Sequence, residues 1–434
     1  ALERLLAIDM ERSFADRQEL DLYVAELTRI LRNQRVFDYS SSVDYVPDRG
    51  AVELVVYAKE GLSAIALPFP KYSSDDGFAL SLRYRDNDFL GYLEPIFLNL
   101  DYFVAPSKLS IDGAAKGSVD ALGASWVFAS AGRASFSSEG SAGSRLFASV
   151  QAAFPLKALG ISWELGPALR YEYNYSETDA QYLRPSFGLW KPFVFASLPF
   201  LGALTYTPRA ELFGVAALPE WSMHDLGFSL VQGLSFGRID WLGNYRRGAS
   251  LSISDELRFH IVQSYAGEAF DTILSTDALG FDRFLEILGL NARFTGRWLS
   301  EKSFFDPGYD KAIDWSEQLR GTRGPLYGDI VAIANLELPI IMAQGRFFGS
   351  VELEAEVLLV PFIDGGYLRS EATRALFARA DLYLDGGLEL QIWPRIARSF
   401  SYRFSAGYDV ANLIDTKAID VKRLELFMGL GSLF

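Results

Sequence analysis

Apolar and polar residues alternate one for one along most of this chain, a pattern that fits strands with one greasy face and little else. The tract "FALSLRY" sets Phe78, Leu80, Leu82 and Tyr84 against Ala79, Ser81 and Arg83. In "ISWELGPALRYEY", Ile161, Trp163, Leu165, Leu169, Tyr171 and Tyr173 oppose Ser162, Glu164, Arg170 and Glu172. Leu251, Ile253, Leu257, Phe259 and Ile261 oppose Ser252, Ser254, Glu256, Arg258 and His260. Val351, Leu353, Ala355 and Val357 oppose Glu352, Glu354 and Glu356, and Phe400, Tyr402, Phe404 and Tyr408 oppose Ser401, Arg403 and Asp409.

Two architectures carry such text. A soluble β-sandwich buries its apolar faces between two layers. A transmembrane barrel turns them toward lipid and encloses water. The alternation runs from residue 77 to the end of a 434-residue chain, too far for one sandwich domain. Many tracts reach ten residues, as a tilted bilayer crossing of ~9–11 residues requires; ordinary strands average ~5–6. Aromatics make up 14% of the chain and gather at tract ends, as in "YEYNY" and "WKPFVF", where interfacial girdles lie. The sequence therefore predicts a transmembrane antiparallel β-barrel. Its last tract, "LELFMGLGSLF", puts Leu424, Leu426, Met428, Leu430 and Phe434 on one face and stops on an aromatic, as bacterial outer-membrane barrels commonly do.

Composition excludes several other classes. The longest nearly apolar run, residues 192–204, holds two prolines and a serine, short of the ~20 residues of a membrane helix. The opening "ALERLLAIDMERS" lacks the apolar core of a signal peptide. A net charge of −14 argues against nucleic acid as a partner. With no cysteine and only His224 and His260, a disulfide framework and thiolate metal sites are excluded, little room is left for a histidine-based catalytic or zinc centre, no nucleophile–base constellation stands out, and no cofactor is expected. An enzyme is not expected. Residues 262–284, "VQSYAGEAFDTILSTDALGFDRF", do not alternate cleanly and read as a surface loop or short helix.

The first sixty residues follow another rule. Leu20, Val24, Leu27 and Leu31 recur at helical spacing in "DRQELDLYVAELTRILRN". A strand near 39–46, a Pro-Asp-Arg-Gly turn and a strand at 51–59 come next. This helix, with "LRNQRVFDYSSSVDY" and "VELVVYAKEG" after it, resembles the last part of a POTRA domain, the periplasmic module of the BamA/TamA outer-membrane assembly superfamily. "DGFALSLRYRDNDFLG" (76–91) is similar to that superfamily's first barrel strand and turn. The resemblance implies a barrel of about sixteen strands. It also implies a POTRA-like domain over 1–61, opening part-way through that module with more of it upstream, a linker over 62–76 and the barrel over 77–434.

The superfamily's hallmark is a loop that folds back into the barrel on a Val/Ile-Arg-Gly-Phe/Tyr motif. Leu319, Arg320, Gly321 and Thr322 resemble it, within a loop around 300–326, with Thr322 where the family has an aromatic. The resemblance implies that Arg320 pairs with Glu337 in "YGDIVAIANLELPI" and Asp364 in "PFIDGGYL". Parity checks this independently. With Ile330, Ala332, Ala334, Leu336 and Leu338 on the lipid face, Asn335 and Glu337 point inward, and Asp364 shares the parity of Glu352, Glu354 and Glu356. Losing the ring at Thr322 is expected to loosen the loop tip.

The function implied is folding and insertion of other β-barrel proteins into the outer membrane. The seam between the first and last strands, through Phe78, Leu80, Leu82, Gly429, Gly431 and Phe434, would expose an edge for a client strand. Partners would be unfolded barrel clients, periplasmic chaperones or accessory lipoproteins, and outer-membrane lipid. The alternatives are a polypeptide-translocating pore of the two-partner-secretion type, a TamA-like translocation or lipid-handling barrel, and a passive porin.

Overall fold

A computed structural model describes residues 5–6, 8–9, 11–34, 41–48, 51–59, 64–74, 77–86, 88, 96–104, 108–137, 144–158, 160–174, 180–198, 201–218, 220–242, 244–263, 270–299, 315–324, 326–346, 354–369, 376–394 and 400–431. Twenty antiparallel segments close into a single barrel, from Ala64–Ser73 round to Glu425–Leu430. Two pairs of segments are single strands interrupted at a proline. Ala180–Trp190 and Phe193–Leu198 run against one partner in unbroken register across Pro192. Ile330–Glu337 and Ile340–Arg346 do the same across Pro339. Proline has no N–H for the ladder, so each strand breaks there without leaving its place. Among the described residues the barrel thus has eighteen strand positions, not about sixteen.

The two additional positions are stretches that did not read as strands. Residues 62–76, expected to be a linker, contain Ala64–Ser73, the opening strand, in register with Gly77–Asp86 along its whole length. Pro68 and Pro70 masked it. Within 262–284, Phe270–Arg283 is a full strand. Its inward face carries Ile273 and Phe281, both buried, while Thr272, Thr276, Ala278 and Gly280 share the outward parity with Phe270 and Leu274, so the usual contrast is inverted in places.

Elsewhere the pattern sorts by face as alternation dictates. Phe78, Leu80 and Leu82 are 48%, 58% and 36% exposed on the outside, while Ala79 and Ser81 between them are buried. Phe259 and Ile261 point out; Arg258 and His260 point in, with His260 between Asp225 and Asp271. Buried charged residues line the inside, often paired two apart on one strand, as in Arg258–Glu256 at 2.7 Å and Arg209–Glu211 at 2.6 Å. Phe400 departs from its assigned face: it lies just before the strand Tyr402–Asp409 and is buried against Ile65.

At the N-terminus, the helix Arg17–Asn33 is capped by Asp16, whose side chain accepts from the Glu19 amide. Its buried stripe of Leu20, Val24, Leu27 and Leu31 packs on a hairpin of Ser42–Asp48 and Ala51–Tyr57. The helix also touches the barrel rim. The Asn33 amide donates to Asp240 (2.9 Å) and its carbonyl oxygen accepts from the Trp241 amide (3.1 Å), while Arg29 pairs with both Glu26 and Asp240. This rim carries the turn between Ser222–Leu242 and Tyr245–Gln263, so the connection after Gly289–Leu299 lies at the opposite rim.

The wall is uneven in height. Ser222–Leu242 has 21 residues, whereas Glu425–Leu430 has six, fewer than the ~9–11 of a complete crossing. Because Leu80 faces outward at mid-strand, Leu80→Arg is expected to weaken folding into vesicles by about 2–4 kcal/mol. Denaturant titration in lipid measures this, with the outward Leu80→Ile as the control that changes stability little.

Candidate functional site

The lumen site is built from a loop and the inner faces of five strands. After Trp315 a short 3-10 turn, Ser316–Gln318, brings Leu319 into an apolar socket of Trp315, Val331, Ile333 and Leu368. A Cβ on Gly366 would lie 3.0 Å from the Leu319 side chain, so glycine makes that socket. Leu319 fixes the turn, and Arg320 follows it into the cluster of charges.

Arg320 is almost wholly buried. Its Nε and Nη2 donate to the two oxygens of Asp364 at 2.8 and 2.7 Å, the planar fork that only guanidinium supplies. Nη1 donates to Glu337 at 2.6 Å, and the Arg320 backbone amide adds a bond to Asp364 at 3.2 Å. The guanidinium stacks on Phe362, 3.6 Å from the ring centre. Asn335 donates from Nδ2 to Asp364 (2.9 Å) and to the Gln318 carbonyl (2.7 Å), tying the strand to the loop backbone. Asn291 holds the other oxygen of Glu337 at 3.0 Å. The structure thus brings Arg320, Glu337 and Asp364 together on one side of the lumen.

Two further carboxylates take part that sequence reasoning did not single out. Glu389, fully buried, lies 3.9 Å from Arg320 and is paired with Arg403. Asp385, also fully buried, accepts from the Gly321 amide at 2.9 Å and from the Thr322 hydroxyl at 3.1 Å. Both sit on Leu382–Pro394, where Leu382 and Leu388 point outward and Asp385 and Glu389 inward. Alternation in "LYLDGGLELQIW" carried that signal. Thr322, where the superfamily pattern has an aromatic, contributes a hydroxyl bond here.

Gly321 is required by close approach. A Cβ there would fall 2.5 Å from the carbonyl carbon of Tyr408, and one on Gly407 would fall 2.1 Å from the Arg320 oxygen. Two glycines facing each other let the loop tip lie backbone to backbone on Tyr402–Asp409.

The seam lies elsewhere than expected. It joins Ala64–Ser73 to Glu425–Leu430, so Phe78, Leu80 and Leu82 belong to the second strand and have no part in it. Among the described residues two pairs form, Ser73 with Phe427 and Tyr72 with Met428. The Ser74 amide donates to the Leu426 carbonyl at 3.0 Å, so even-numbered residues of this strand turn their backbone groups to the seam. Val104 donates to the Phe78 carbonyl at 3.0 Å, which gives the same phase from the other side. Pro68 and Pro70 therefore stand where the next two seam donors would be, and Leu430 falls opposite Pro70 if the register continues. Beyond them Ile65 and Phe400 are buried against each other, with Leu67 and Leu430 packed on them.

Gly429 and Gly431 have local roles. A Cβ on Gly429 would lie 2.5 Å from the Phe427 ring, and Gly431, at φ +114°, turns its amide to the Ser401 carbonyl at 2.9 Å. Phe434, Val351, Glu352, Leu353 and all of residues 300–314 lie outside the described residues.

These features define a class: a membrane-spanning β-barrel whose lumen is entered by a loop held on a buried arginine. No protein-family model matches the sequence, and no curated protein matches it. Among solved structures, CdiB from Escherichia coli aligns with 99% of this chain and 73% of its own at 11% identity and a TM-score of 0.53. CdiB from Acinetobacter baumannii aligns with 99% and 71% at 10% identity and a TM-score of 0.50. At such identities the likeness is one of fold. BamA from Haemophilus ducreyi lacking POTRA domains 1–3 also aligns, at 11% identity and a TM-score of 0.41, too low to carry an argument.

Removing the guanidinium leaves Glu337 and Asp364 buried against each other with no cation between them. Arg320→Ala is expected to cost the docked loop about 3–5 kcal/mol. Limited proteolysis in vesicles checks this: cleavage within 315–327 should speed up sharply. Arg320→Lys should fall between, since an ammonium cannot fork onto Asp364.

Proposed function

We propose that this barrel handles polypeptides at the bacterial outer membrane, and that they pass through the lumen. The observation that carries this reading is the stopper itself. A loop from the rim opposite the N-terminal helix occupies the lumen, and a single buried arginine with its carboxylates forms the charged centre of its hold. Beside the loop, against Trp315, lies a chamber of about 700 Å³ lined by hydroxyls and charged groups such as Ser252, Thr295, Arg209 and Glu256. An extended chain with its backbone unpaired needs such polar partners in transit.

The seam route, insertion of β-barrel clients by strand addition, is supported by the two-pair junction. Its difficulty lies on the opening strand. A client strand laid there would present two carbonyls to Pro68 and Pro70, and each unsatisfied backbone group in lipid costs several kcal/mol. The closing strand has no such block, so an assembly factor of this kind would receive clients on Glu425–Leu430.

The N-terminal helix and hairpin are, in this reading, the membrane-proximal part of a periplasmic POTRA-type module, docked on the rim by Arg29 and Asn33. It would receive unfolded clients or exported chains from periplasmic chaperones or accessory lipoproteins. No covalent bond is made or broken in the cycle.

Depletion in the native host separates the routes. The lumen reading expects one exported polypeptide to be retained while other barrel proteins stay at normal levels. General loss of barrel proteins would overturn it in favour of assembly. Planar-bilayer recordings add a second check: the wild-type barrel should conduct little and Arg320→Ala markedly more.

A further inference from the structure

The loop tip reaches past its carboxylates to the seam. Three residues beyond Arg320, Arg323 sets its Nε 3.2 Å from Glu425 and donates from Nη2 to the Leu424 carbonyl. Both partners stand at the start of the closing strand. Glu425 in turn accepts from the Ser74 amide at 3.3 Å, and the Ser74 hydroxyl accepts from the Leu426 amide at 2.8 Å. Ser74 directly follows the opening strand. One node therefore joins three elements: the lumen loop, the end of the opening strand and the start of the closing strand.

Its weight comes from what the seam lacks. Among the described residues the opening strand is paired with its other neighbour along all of Ala64–Ser73 but with the closing strand at Tyr72 and Ser73 alone. The prolines prevent the ladder from extending toward the N-terminal rim. Any further backbone tie has to lie at the outer end, and there the Arg323 node sits.

We infer that Arg323 is a positioning residue of the seam: carried in on the loop, it holds the start of the closing strand against Ser74, so that withdrawing the loop and loosening the seam are one event. Chain length enforces the coupling. Three residues span at most roughly 10 Å, so a withdrawal that lifts the backbone at Arg320 away from Asp364 carries Arg323 away from Glu425 with it. Arg320 reports on the lumen and Arg323 transmits its state to the wall. The inference stands whichever route a polypeptide takes, because it concerns the loop and the seam alone.

The chain has no cysteine, which makes a thiol reporter clean. Ser73→Cys with Phe427→Cys places a pair at a non-hydrogen-bonded position, where Cα atoms ~4.5 Å apart suit a disulfide. The full chain is placed in lipid vesicles, heat-modifiable migration on unboiled gels confirms a closed barrel, and the rate of disulfide closure is followed. Arg323→Ala is expected to slow closure roughly 2- to 5-fold, the range of a partly exposed ion pair. Glu425→Gln, which keeps size and shape, should do the same and carries the test if Arg323→Ala fails to fold. Arg320→Ala leaves every seam atom in place yet should also slow closure, and adding Arg323→Ala to it should slow closure no further. The exchange Arg323→Glu with Glu425→Arg should restore the rate. Closure that is unchanged in Arg320→Ala while its loop has become protease-sensitive would overturn the inference, as would additive effects of the two alanine substitutions.

Discussion

A guanidinium seated among carboxylates inside a membrane barrel organises this molecule. Glu337, Asp364, Asp385 and Glu389 line one side of the lumen, and from the wall Arg403 pairs directly with Glu389. Without Arg320 that side would hold several buried negative charges in a low-dielectric wall, an arrangement that repels itself and is poorly hydrated. The arginine is not on the wall, so the neutralising charge has to arrive on the loop. Stability of the wall and occupancy of the lumen are thereby linked, and the loop becomes part of the barrel's interior. Leu319 in its apolar socket and the facing glycines 321 and 407 then set how deep the tip can lie.

The seam is shaped by what its residues leave out. Two prolines withhold amides from the edge, and the closing strand is shorter than a full crossing. Edge strands commonly carry proline because it denies a partner strand its acceptors' donors. Here the device acts at the barrel's own closure, leaving a junction held by two pairs, an apolar patch of Ile65 and Phe400 inside, and the polar node at Ser74. A barrel so joined depends on its neighbours, the loop among them, for its integrity.

How much could be read in advance follows from the same physics. Alternation is legible where outward residues are large and apolar and inward ones charged, so Asn335 and Glu337 were placed inside from the parity of Ile330 to Leu338 alone. It fails where the faces lose contrast. Phe270–Arg283 carries Ile273 inward and Thr276 outward, and it passed for a loop. Ala64–Ser73 failed for another reason: its prolines read as breaks, although a strand tolerates them on the side that has no full ladder. With Ala64–Ser73 read as a linker, the expected seam falls one strand too late, at Phe78, Leu80 and Leu82. The pairing of Arg320 rests on a resemblance plus parity, whereas the parts of Asp385 and Glu389, and the partner of the loop residue Arg323, needed three-dimensional proximity, since nothing in the tracts of Asp385, Glu389 or Glu425 points to the loop.

Lumen placement of the loop tip is tested most directly by accessibility. Single cysteines at Thr322, bonded to buried Asp385, and at Tyr327, 47% exposed on the same loop, would be labelled with a membrane-impermeant maleimide in closed vesicles. A tip seated in the barrel predicts rapid labelling at 327 and labelling at 322 that is slow until the protein is denatured. Equal rates at the two positions would mean that the tip lies in bulk water, and that the carboxylates it was held to neutralise are met in some other way.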